Sequence, residues 1–591
     1  MLSQLQQFVN SLNRPKYYLL AGNILLVAAL IILSNLKIVP LRTGDFAFFA
    51  VITLAFALYR PGWAFLFFVG TIPLENINLA PESLGIAIRP YQFVGALAIT
   101  ALLIRFFSKR LFFKPAKFNL ADWLVIVLVA AGFLSAFAAV GAKNFLPLRL
   151  AVIFASFAAL YFLARNYIQT LDDLKKVLPF FLSSGAVVTF YGIWQNWRFT
   201  RNLPNFEVMP GRPNSVFSEP DWLGMYLVLL ISVVYVLIYY YIKQVQSSRL
   251  NRMFLEKQTH SQYPDSLDTF TNKQDFPELS GSGETPEPAL DQILNLNPIY
   301  HLPFTNYFSV FGIYVLLNIF LVLLVITVSR SAWLGAFAAT FIFLFVIFTN
   351  LKFSPKEWRW KETFYLKLKI LASLLVALAA VYVFNLTDFQ LFNRAKSTGT
   401  GLQKITVACE PDCNVETRQC LVSTETIISN ISELEQYDCR HINLEEIESE
   451  KAKNNIIAEI YREDPNVNIR GEIYRKSWQE IKKHPIMGIG WGSIGSVLGQ
   501  DERGATFNSS NIFLETWLGA GILGLASLLA LFSYILLSAI KNYFYACDQE
   551  GKVFHLFIII SWFAIIIPNL FNAGIFLGFL WVWLAITQIK E

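Results

Sequence analysis

Three arginines are the first candidates for chemistry, because each lies beside an apolar stretch. Arg212 precedes a long apolar run, Arg330 separates two such runs with almost no loop, and Arg475 lies in a long mixed segment before another run. A guanidinium stays protonated and binds phosphate oxygens in a forked geometry, so cations at a membrane edge would suit a lipid-linked diphosphate. For Arg330 the simpler interpretation is a side chain that reaches the lipid headgroups. For Arg470, near Arg475, we favour a solvated position on an amphipathic helix.

Carboxylates accompany the first of these arginines. Glu219 and Asp221 follow Arg212 at the start of an apolar run, and charges at a membrane edge are costly enough to indicate a functional site. A general base that takes the proton of an acceptor hydroxyl needs such a group, so Glu219 and Asp221 are the first candidates. The structural alternative is that Asp221 or Ser218 caps the helix that Pro220 opens.

Two further stretches carry polar groups close to apolar runs. His484 is the third candidate base, although a histidine before Pro485 equally suits a structural cap. The residues of Ile456–Lys483 are compatible with a helix that Pro485 terminates. Asn511 and Glu515 begin another apolar run and, being four residues apart, face one side of a helix together. Both would line the site, with a paired structural role as the alternative for Glu515.

The composition defines the class of protein. Of the 591 residues, 55% are hydrophobic and only 15% are charged, which indicates a polytopic membrane protein. The apolar runs are continuous rather than alternating, which excludes a closed β-barrel. The net charge of +6 is small for this length, and the basic residues cluster next to the runs, so we predict no binding of nucleic acid.

We predict an all-α fold with about 12–14 transmembrane helices and one long outer loop, since each span needs roughly 20 apolar residues. The candidate spans lie near residues 17–36, 43–59, 62–78, 90–107, 120–140, 146–166, 176–195, 221–243, 305–328, 332–351, 366–386, 509–539, 553–569 and 572–588. They divide the chain into residues 1–243 with helices 1–8, a cytoplasmic disordered insert at 244–304, residues 305–386 with helices 9–11, a long extracytoplasmic loop at 387–508, and residues 509–591 with helices 12–14.

The orientation follows from the basic residues of the short loops. Alternate loops are rich in lysine and arginine, as at Lys109, Arg110, Lys175 and Lys176, and such loops face the cytoplasm. The N- and C-termini are therefore predicted to be cytoplasmic, in a protein of the cytoplasmic membrane.

The cysteines agree with this orientation. Cys409, Cys413, Cys420 and Cys439 all fall in the outer loop, where an oxidising environment favours two disulfides of undetermined connectivity. A metal site is the alternative, but no Cys-x-x-Cys pair is present. Cys547 falls in an inner loop, where a free thiol is expected.

The order of these motifs resembles the O-antigen ligase/polymerase family over roughly residues 120–590. The resemblance rests on Arg212 followed by Glu219-Pro220-Asp221-Trp222-Leu223-Gly224, then Ser329-Arg330-Ser331-Ala332-Trp333-Leu334-Gly335, then Arg475, Trp478, His484-Pro485 and Gly488-Ile489-Gly490, then Asn511-Ile512-Phe513-Leu514-Glu515 with Gly521-Ile522-Leu523-Gly524.

This resemblance implies an all-helical enzyme that needs no metal and no cofactor. It would take a glycan from an undecaprenyl-diphosphate carrier on the outer face of the cytoplasmic membrane and transfer it to a growing chain, to lipid A core or to protein. Arg212, Arg330 and Arg475 resemble the arginines that bind the diphosphate. The expected partners are the carrier-linked glycan, the glycan acceptor, the lipid bilayer and other proteins of envelope assembly.

One departure from the family affects the type of acceptor. Ligases of the family usually carry a histidine where this chain has Ser510. We therefore predict a surface-polysaccharide polymerase, with an O-antigen ligase or a protein O-oligosaccharyltransferase as the alternatives. A polysaccharide flippase or permease is the candidate from another class, and the long outer loop argues against it. A non-catalytic membrane subunit of an envelope assembly is a third interpretation.

Overall fold

A computed structural model of the chain describes most of its residues. The described ranges are 15–111, 113–139, 145–201, 203, 211–261, 307–352, 354–387, 402–409, 427–429, 431–442, 447–463, 465–499 and 506–589. Cys413, Cys420 and most of the insert predicted at 244–304 lie outside these ranges.

The described part is mainly helical. Its helices are α1 (Pro15–Asn35), α2 (Thr43–Tyr59), α3 (Pro61–Thr71), α4 (Pro90–Phe107), α5 (Leu120–Ala139), α6 (Leu146–Tyr167), α7 (Leu171–Phe199), α8 (Pro220–Ser261), α9 (Tyr307–Ile326), α10 (Arg330–Thr349), α11 (Trp360–Val383), α12 (Ile447–Ala452), α13 (Pro465–Lys483), α14 (Ile494–Leu498), α15 (Ile512–Tyr545), α16 (Gln549–Asn569) and α17 (Gly578–Ile586).

Ten of these helices are long and apolar enough to cross a membrane, and α2, α3 and the part Phe311–Ile326 of α9 are shorter apolar helices within the same described ranges. The prediction of an all-α polytopic membrane protein is therefore confirmed. Helices suit this setting because each satisfies its own backbone hydrogen bonds in hydrocarbon. Several begin with proline in the first turn, where its missing N–H costs nothing, as at Pro61, Pro90 and Pro147.

Helix α8 lies at the centre of the bundle. In its apolar part, Pro220–Lys243, 89% of the most apolar window is buried, because α8 packs against α9, α10 and α16. A helix that is apolar on all sides is expected in such a position. Its start, at Pro220, belongs to the candidate site described below.

Two of the predicted spans are short helices. The third, expected at 62–78, ends at Thr71 after 11 residues. The last, expected at 572–588, is helical only over the nine residues of α17. Nine residues rise about 14 Å, well short of a hydrocarbon core of about 30 Å. Helix α17 is nevertheless buried, with Trp581 and Trp583 at most 1% exposed, so it packs inside the bundle.

The loop at 387–508 contains a sheet that the sequence analysis missed. Its strands are β1 (Leu402–Cys409), β2 (Ile427–Ile428), β3 (Cys439–Ile442) and β4 (Ile456–Glu463), in the order β2-β4-β1-β3. The predicted helix over Ile456–Lys483 is thus wrong in its first part. Residues 456–463 pair antiparallel with β1, and Ile460 is fully buried in the sheet's small core, so pairing with a distant strand decides the structure there.

The insert also begins differently from the prediction. Helix α8 continues to Ser261, so residues 244–261 are helical rather than disordered, and α8 extends beyond its apolar part. Residues 262–304 lie outside the described ranges, and disorder there stays a prediction.

Candidate functional site

Four connections between helices meet at one end of the bundle. They are residues 75–91 between α3 and α4, 211–221 before α8, 327–331 between α9 and α10, and 568–578 between α16 and α17; we call them the site ring. The hydrogen bonds that close it run from Asn76 N to Val216 O (2.7 Å), from Arg212 Nε to Thr327 O (3.0 Å), from Asn572 Nδ2 to Ser331 Oγ (2.9 Å) and from Gly578 N to Glu75 Oε1 (2.8 Å).

Arg212 is held on two sides within the site ring. Its Nε donates to the Thr327 carbonyl, and its Nη2 lies 3.1 Å from Asp221 Oδ1. The Arg212 side chain is 14% exposed and that of Asp221 is 20% exposed. The Thr327 carbonyl lies in the break between α9 and α10, where Val328 has a φ of 52°. The guanidinium is thus fixed in orientation, and Asp221, a predicted base, serves as its counter-ion.

Arg330 lies three residues beyond that carbonyl, as the first residue of α10. Ser329 caps the helix by accepting a hydrogen bond from Ala332 N, and Ser331 accepts one from Asn572. Ser329 is 0% exposed and Ser331 is 7% exposed, whereas Arg330 is half-buried. The structure therefore brings Arg330 into the same helix break as Arg212, beside the positive end of α10.

A third arginine of the site ring was missed by the sequence analysis. Arg89 Nε lies 3.2 Å from Glu75 Oε2, and its Nη1 donates to the carbonyl of Phe576 at 3.3 Å. Glu75 also accepts hydrogen bonds from Tyr91 Oη at 2.9 Å and from Gly578 N at 2.8 Å. The available signal was a set of charged residues, Glu75 and Arg89 among them, in a short connection between two apolar runs.

The environment of Glu75 perturbs its titration. Glu75 is 2% exposed, and this burial raises its pKa, while Arg89, Gly578 N and Tyr91 act in the opposite direction. Arg89 keeps 22% of its side chain exposed. The pair therefore presents one accessible cation whose counter-charge is buried beneath it.

Asn511 and Glu515 hold the start of α15 in place. Asn511 Oδ1 accepts from Phe513 N and Leu514 N at 2.9 and 3.1 Å, and its Nδ2 donates to the carbonyl of Leu570 in the site ring. Glu515 is 7% exposed, and its Oε2 accepts from Ser509 N at 2.7 Å. These contacts are what the structural alternative for Glu515 requires, and a role of Asn511 and Glu515 in lining the site stays a prediction.

Helix α13 lies against the start of α15. Its buried side chains are Ile473, Ser477 and Ile481. On the same side, Tyr474 Oη donates to the carbonyl of Ser510 at 3.3 Å. The helix is therefore oriented by packing, which decides where its arginines point.

The two arginines of α13 differ in burial, and binding of a diphosphate by Arg475 stays a prediction. Arg475 is exposed, whereas Arg470 is half-buried. Burial raises the pKa of Tyr474, and Arg470 opposes that rise, which places Arg470 near the packed side of the helix. Arg470 is therefore partly covered rather than fully exposed, and its expected absence from the site stays a prediction. Arg475 lies on the exposed side, with Glu472 as a charged neighbour.

His484 follows the last residue of α13 and is exposed; its backbone N–H donates to the carbonyl of Glu480 at 2.9 Å. The following turn then enters a kink of α15 at Gly521, where φ is 66°. There Ile489 N donates to Leu518 O at 2.7 Å, a carbonyl that the kink releases from its helix. A Cβ on Gly521 would lie 2.0 Å from the carbonyl oxygen of Ile486, so only glycine fits.

A polar cavity of about 150 Å³ adjoins the site ring. Its lining residues are Ile31, Ser34, Asn35, Asn76, Ile77, Tyr191, Asn214, Ser215 and Val216. Ser215 is anchored at its wall, because its N–H donates to Gln195 Oε1 at 2.8 Å. Amide and hydroxyl groups of this kind suit the hydroxyls of a sugar.

The described cysteines occur in two states. Cys409 and Cys439 form a disulfide across β1 and β3, and Cys547 is a free, exposed thiol. A second disulfide would have to join Cys413 to Cys420, which fall outside the described residues, and it stays a prediction. Among the described residues, no group of three histidine, cysteine or acidic side chains could hold a metal ion.

Residues 315–529 match the family model of O-antigen ligase (Wzy_C), which confirms the resemblance for the motifs within that range. The match includes Arg330, the 387–508 loop and Asn511, but it does not reach Arg212 or Arg89. A search of the curated proteins and a search of the solved structures found no match to the chain. The family and the helical topology together support a membrane enzyme that transfers glycans.

Proposed function

We propose that this chain, which matches the O-antigen ligase family model over residues 315–529, moves a glycan from an undecaprenyl-diphosphate carrier to an acceptor. The observation that carries the proposal is the meeting of Arg212 and Arg330 at one helix break, through the bond from Arg212 Nε to Thr327 O. In this proposal the site lies on the outer face of the cytoplasmic membrane, with the 387–508 loop outside and both termini in the cytoplasm.

The arginines would act on the leaving group. As the bond between the anomeric carbon and the phosphate oxygen breaks, negative charge develops on the diphosphate. Cations already fixed in a partly dry site stabilise that charge without reorganising. Arg212 meets this condition because Thr327 O and Asp221 hold it. Arg330 adds a second cation at the start of α10, where the helix dipole also favours an anion.

Glu219 is the base that fits best. It is a half-buried carboxylate of the site ring, whereas His484 lies at an exposed helix end. Asp221, which serves Arg212 as a counter-ion, is the alternative. In the proposed reaction, Glu219 takes the proton of an acceptor hydroxyl and the acceptor oxygen attacks the anomeric carbon. The carrier diphosphate leaves with the electron pair of the broken bond.

The type of acceptor is proposed from residue 510. Ser510 takes the place of the histidine usual in ligases, and its carbonyl accepts the hydrogen bond of Tyr474. A serine hydroxyl does not act as a general base near neutral pH, so this position lacks the base that a ligase histidine would supply. A polymerase that joins repeat units on the carrier is therefore proposed ahead of an O-antigen ligase or a protein O-oligosaccharyltransferase.

The test is a reconstituted transfer reaction. The purified full chain, in liposomes, receives a carrier-linked repeat unit with no other acceptor. A ladder of longer carrier-linked glycans is the expected product. Transfer only after addition of lipid A core or of protein would establish a ligase or an oligosaccharyltransferase instead. Movement of unchanged donor across the liposome membrane, without any new glycosidic bond, would establish a flippase and overturn the proposal.

A further inference from the structure

An apolar cavity of about 170 Å³ lies between α7, α8, α16 and α17, towards the end of the bundle opposite the site ring. Its wall consists mainly of leucine, valine and phenylalanine side chains, such as Leu178, Val236 and Phe557. Such a space does not favour water, because most of its wall offers no polar partners. A hydrocarbon chain is the ligand that fits its chemistry.

The cavity has one polar end. Three lining residues with charged or hydroxyl groups, Lys175, Tyr240 and Glu550, belong to one cluster. Lys175 Nζ lies 2.6 Å from Glu550 Oε2, and Tyr240 Oη donates to Glu550 Oε1 at 2.8 Å. Lys175 also pairs with Asp172, whose side chain is 68% exposed. This combination of an apolar cavity and a charged rim matches an amphiphile.

The length of the cavity agrees with one leaflet. Its wall on α8 runs from Leu229 to Tyr240, a distance of about 16 Å at about 1.5 Å per residue. Half of a hydrocarbon core is about 15 Å. At the end of the cavity nearest the site ring lies Phe579, the residue after Gly578 of that ring.

We propose that this cavity binds one acyl chain of a zwitterionic phospholipid, from the leaflet opposite the site ring. The rim contains a cation and two carboxylates, so it offers partners for both the phosphate and the ammonium of such a headgroup. A polyprenyl phosphate brings anions only and would face Glu550 and Asp172 with like charge. The bound chain packs along α17 and supports the site ring from the side of the opposite leaflet.

The test uses photo-crosslinking of the full chain in liposomes, independently of glycan transfer. The probe is phosphatidylethanolamine with a diazirine in one acyl chain, and the adducts are located by mass spectrometry. Adducts should concentrate on the peptides around 229–240 and 550–557. Val236→Trp should lower them by about tenfold, equivalent to about 1.4 kcal/mol, whereas Leu537→Trp, at a position 66% exposed on α15, should not.

The headgroup is tested by charge reversal at the rim, in protein whose melting temperature has first been matched to that of the wild type. Glu550→Lys should shift the preference of the site from phosphatidylethanolamine to phosphatidylglycerol carrying the same chain. Equal labelling of the cavity and of exposed faces such as that of α11, or labelling unchanged in both Val236→Trp and Glu550→Lys, would overturn the proposal. Stronger labelling by a polyprenyl phosphate probe would do the same.

Discussion

Gly578 donates its backbone N–H to the Glu75 carboxylate at 2.8 Å, across 503 positions of the chain. Gly578 is the first residue of α17, so the carboxylate occupies the positive end of that helix. The same carboxylate pairs with Arg89. One buried acid thus joins the first part of the site ring to the last and positions an arginine there.

The pH dependence of stability should report on Glu75. Burial raises its pKa from the usual 4.5, so the folded protein holds this proton at a higher pH than the unfolded chain. The stabilisation that Glu75 contributes is then fully present when the pH is below its pKa in the unfolded chain. It is lost as the pH rises through its pKa in the folded protein. Glu75→Gln cannot titrate and should flatten the fall in melting temperature above pH about 4.5.

Melting curves of the purified protein between weakly acidic and neutral pH provide that measurement. Glu357→Gln is a suitable control, because the Glu357 side chain is 48% exposed and lies outside the site ring. A slope in Glu75→Gln equal to that of the wild type would mean that Glu75 does not titrate in this range.

Arg89 should matter more for transfer than Arg475. Arg89 is held by Glu75 and by Phe576 O within the site ring, whereas Arg475 lies on the exposed side of α13. Because a lysine cannot reproduce the forked contacts, Arg89→Lys should slow transfer by about tenfold or more. Arg475→Lys should have a smaller effect, measured as initial rates with the carrier-linked donor. A larger loss of rate in Arg475→Lys than in Arg89→Lys would place Arg475 at the diphosphate and leave Arg89 with a structural role.

The fold and part of the site could be predicted because they depend on local sequence. Continuous apolar runs indicate helices in a membrane, and the short polar break at Ser329–Ser331 already marks a helix start. Arg212 and Arg330 could be selected because charges beside such runs are rare. The strand at Ile456–Glu463 could not be predicted, because its residues are also compatible with a helix and only the pairing with β1 makes them a strand.

Long-range contacts account for the remaining differences. The pairing of Glu75 with Gly578 leaves no local pattern in the sequence. The same holds for Arg470 and Arg475, five residues apart on one helix, because only the packing of Tyr474 on Ser510 decides which of them is covered. The bond between Arg212 and Asp221 likewise makes a counter-ion of a residue that was predicted to be a base.

The disulfide between Cys409 and Cys439 should stabilise the sheet of the 387–508 loop. It closes a segment with a sequence separation of 30, for which loop entropy predicts about 3–4 kcal/mol. Cys409→Ser should therefore make the loop more sensitive to protease while the helices stay resistant. Non-reduced peptides from the native envelope should show this bond and a second one between Cys413 and Cys420. Four free thiols would contradict both the bonds and the proposed outer location.

The effects of Glu219 and Asp221 on catalysis should differ when each residue is changed to its amide. Glu219→Gln removes the proposed base and should lower kcat by about a hundredfold or more. Asp221→Asn keeps a hydrogen-bond acceptor for Arg212 and should affect KM more than kcat. The pH profile of kcat should lose its acidic limb only in Glu219→Gln. If Asp221→Asn alone removes that limb, Asp221 is the base and its bond to Arg212 opens during turnover.

Arg212 and Arg330 should both require a guanidinium rather than any cation. Arg212 makes contacts through Nε and Nη2 with two separate partners, which a single ammonium cannot span. A charge-assisted contact is worth about 1.5–3 kcal/mol, so Arg212→Lys should slow transfer by about ten- to a hundredfold, nearly as much as Arg212→Ala. Arg330→Lys should behave in the same way if the residue binds the diphosphate, but should be silent if it only reaches lipid headgroups. Transfer from purified donor, with membrane insertion confirmed for each variant, distinguishes the two. Near wild-type rates in both lysine variants would show that these arginines do not bind a diphosphate.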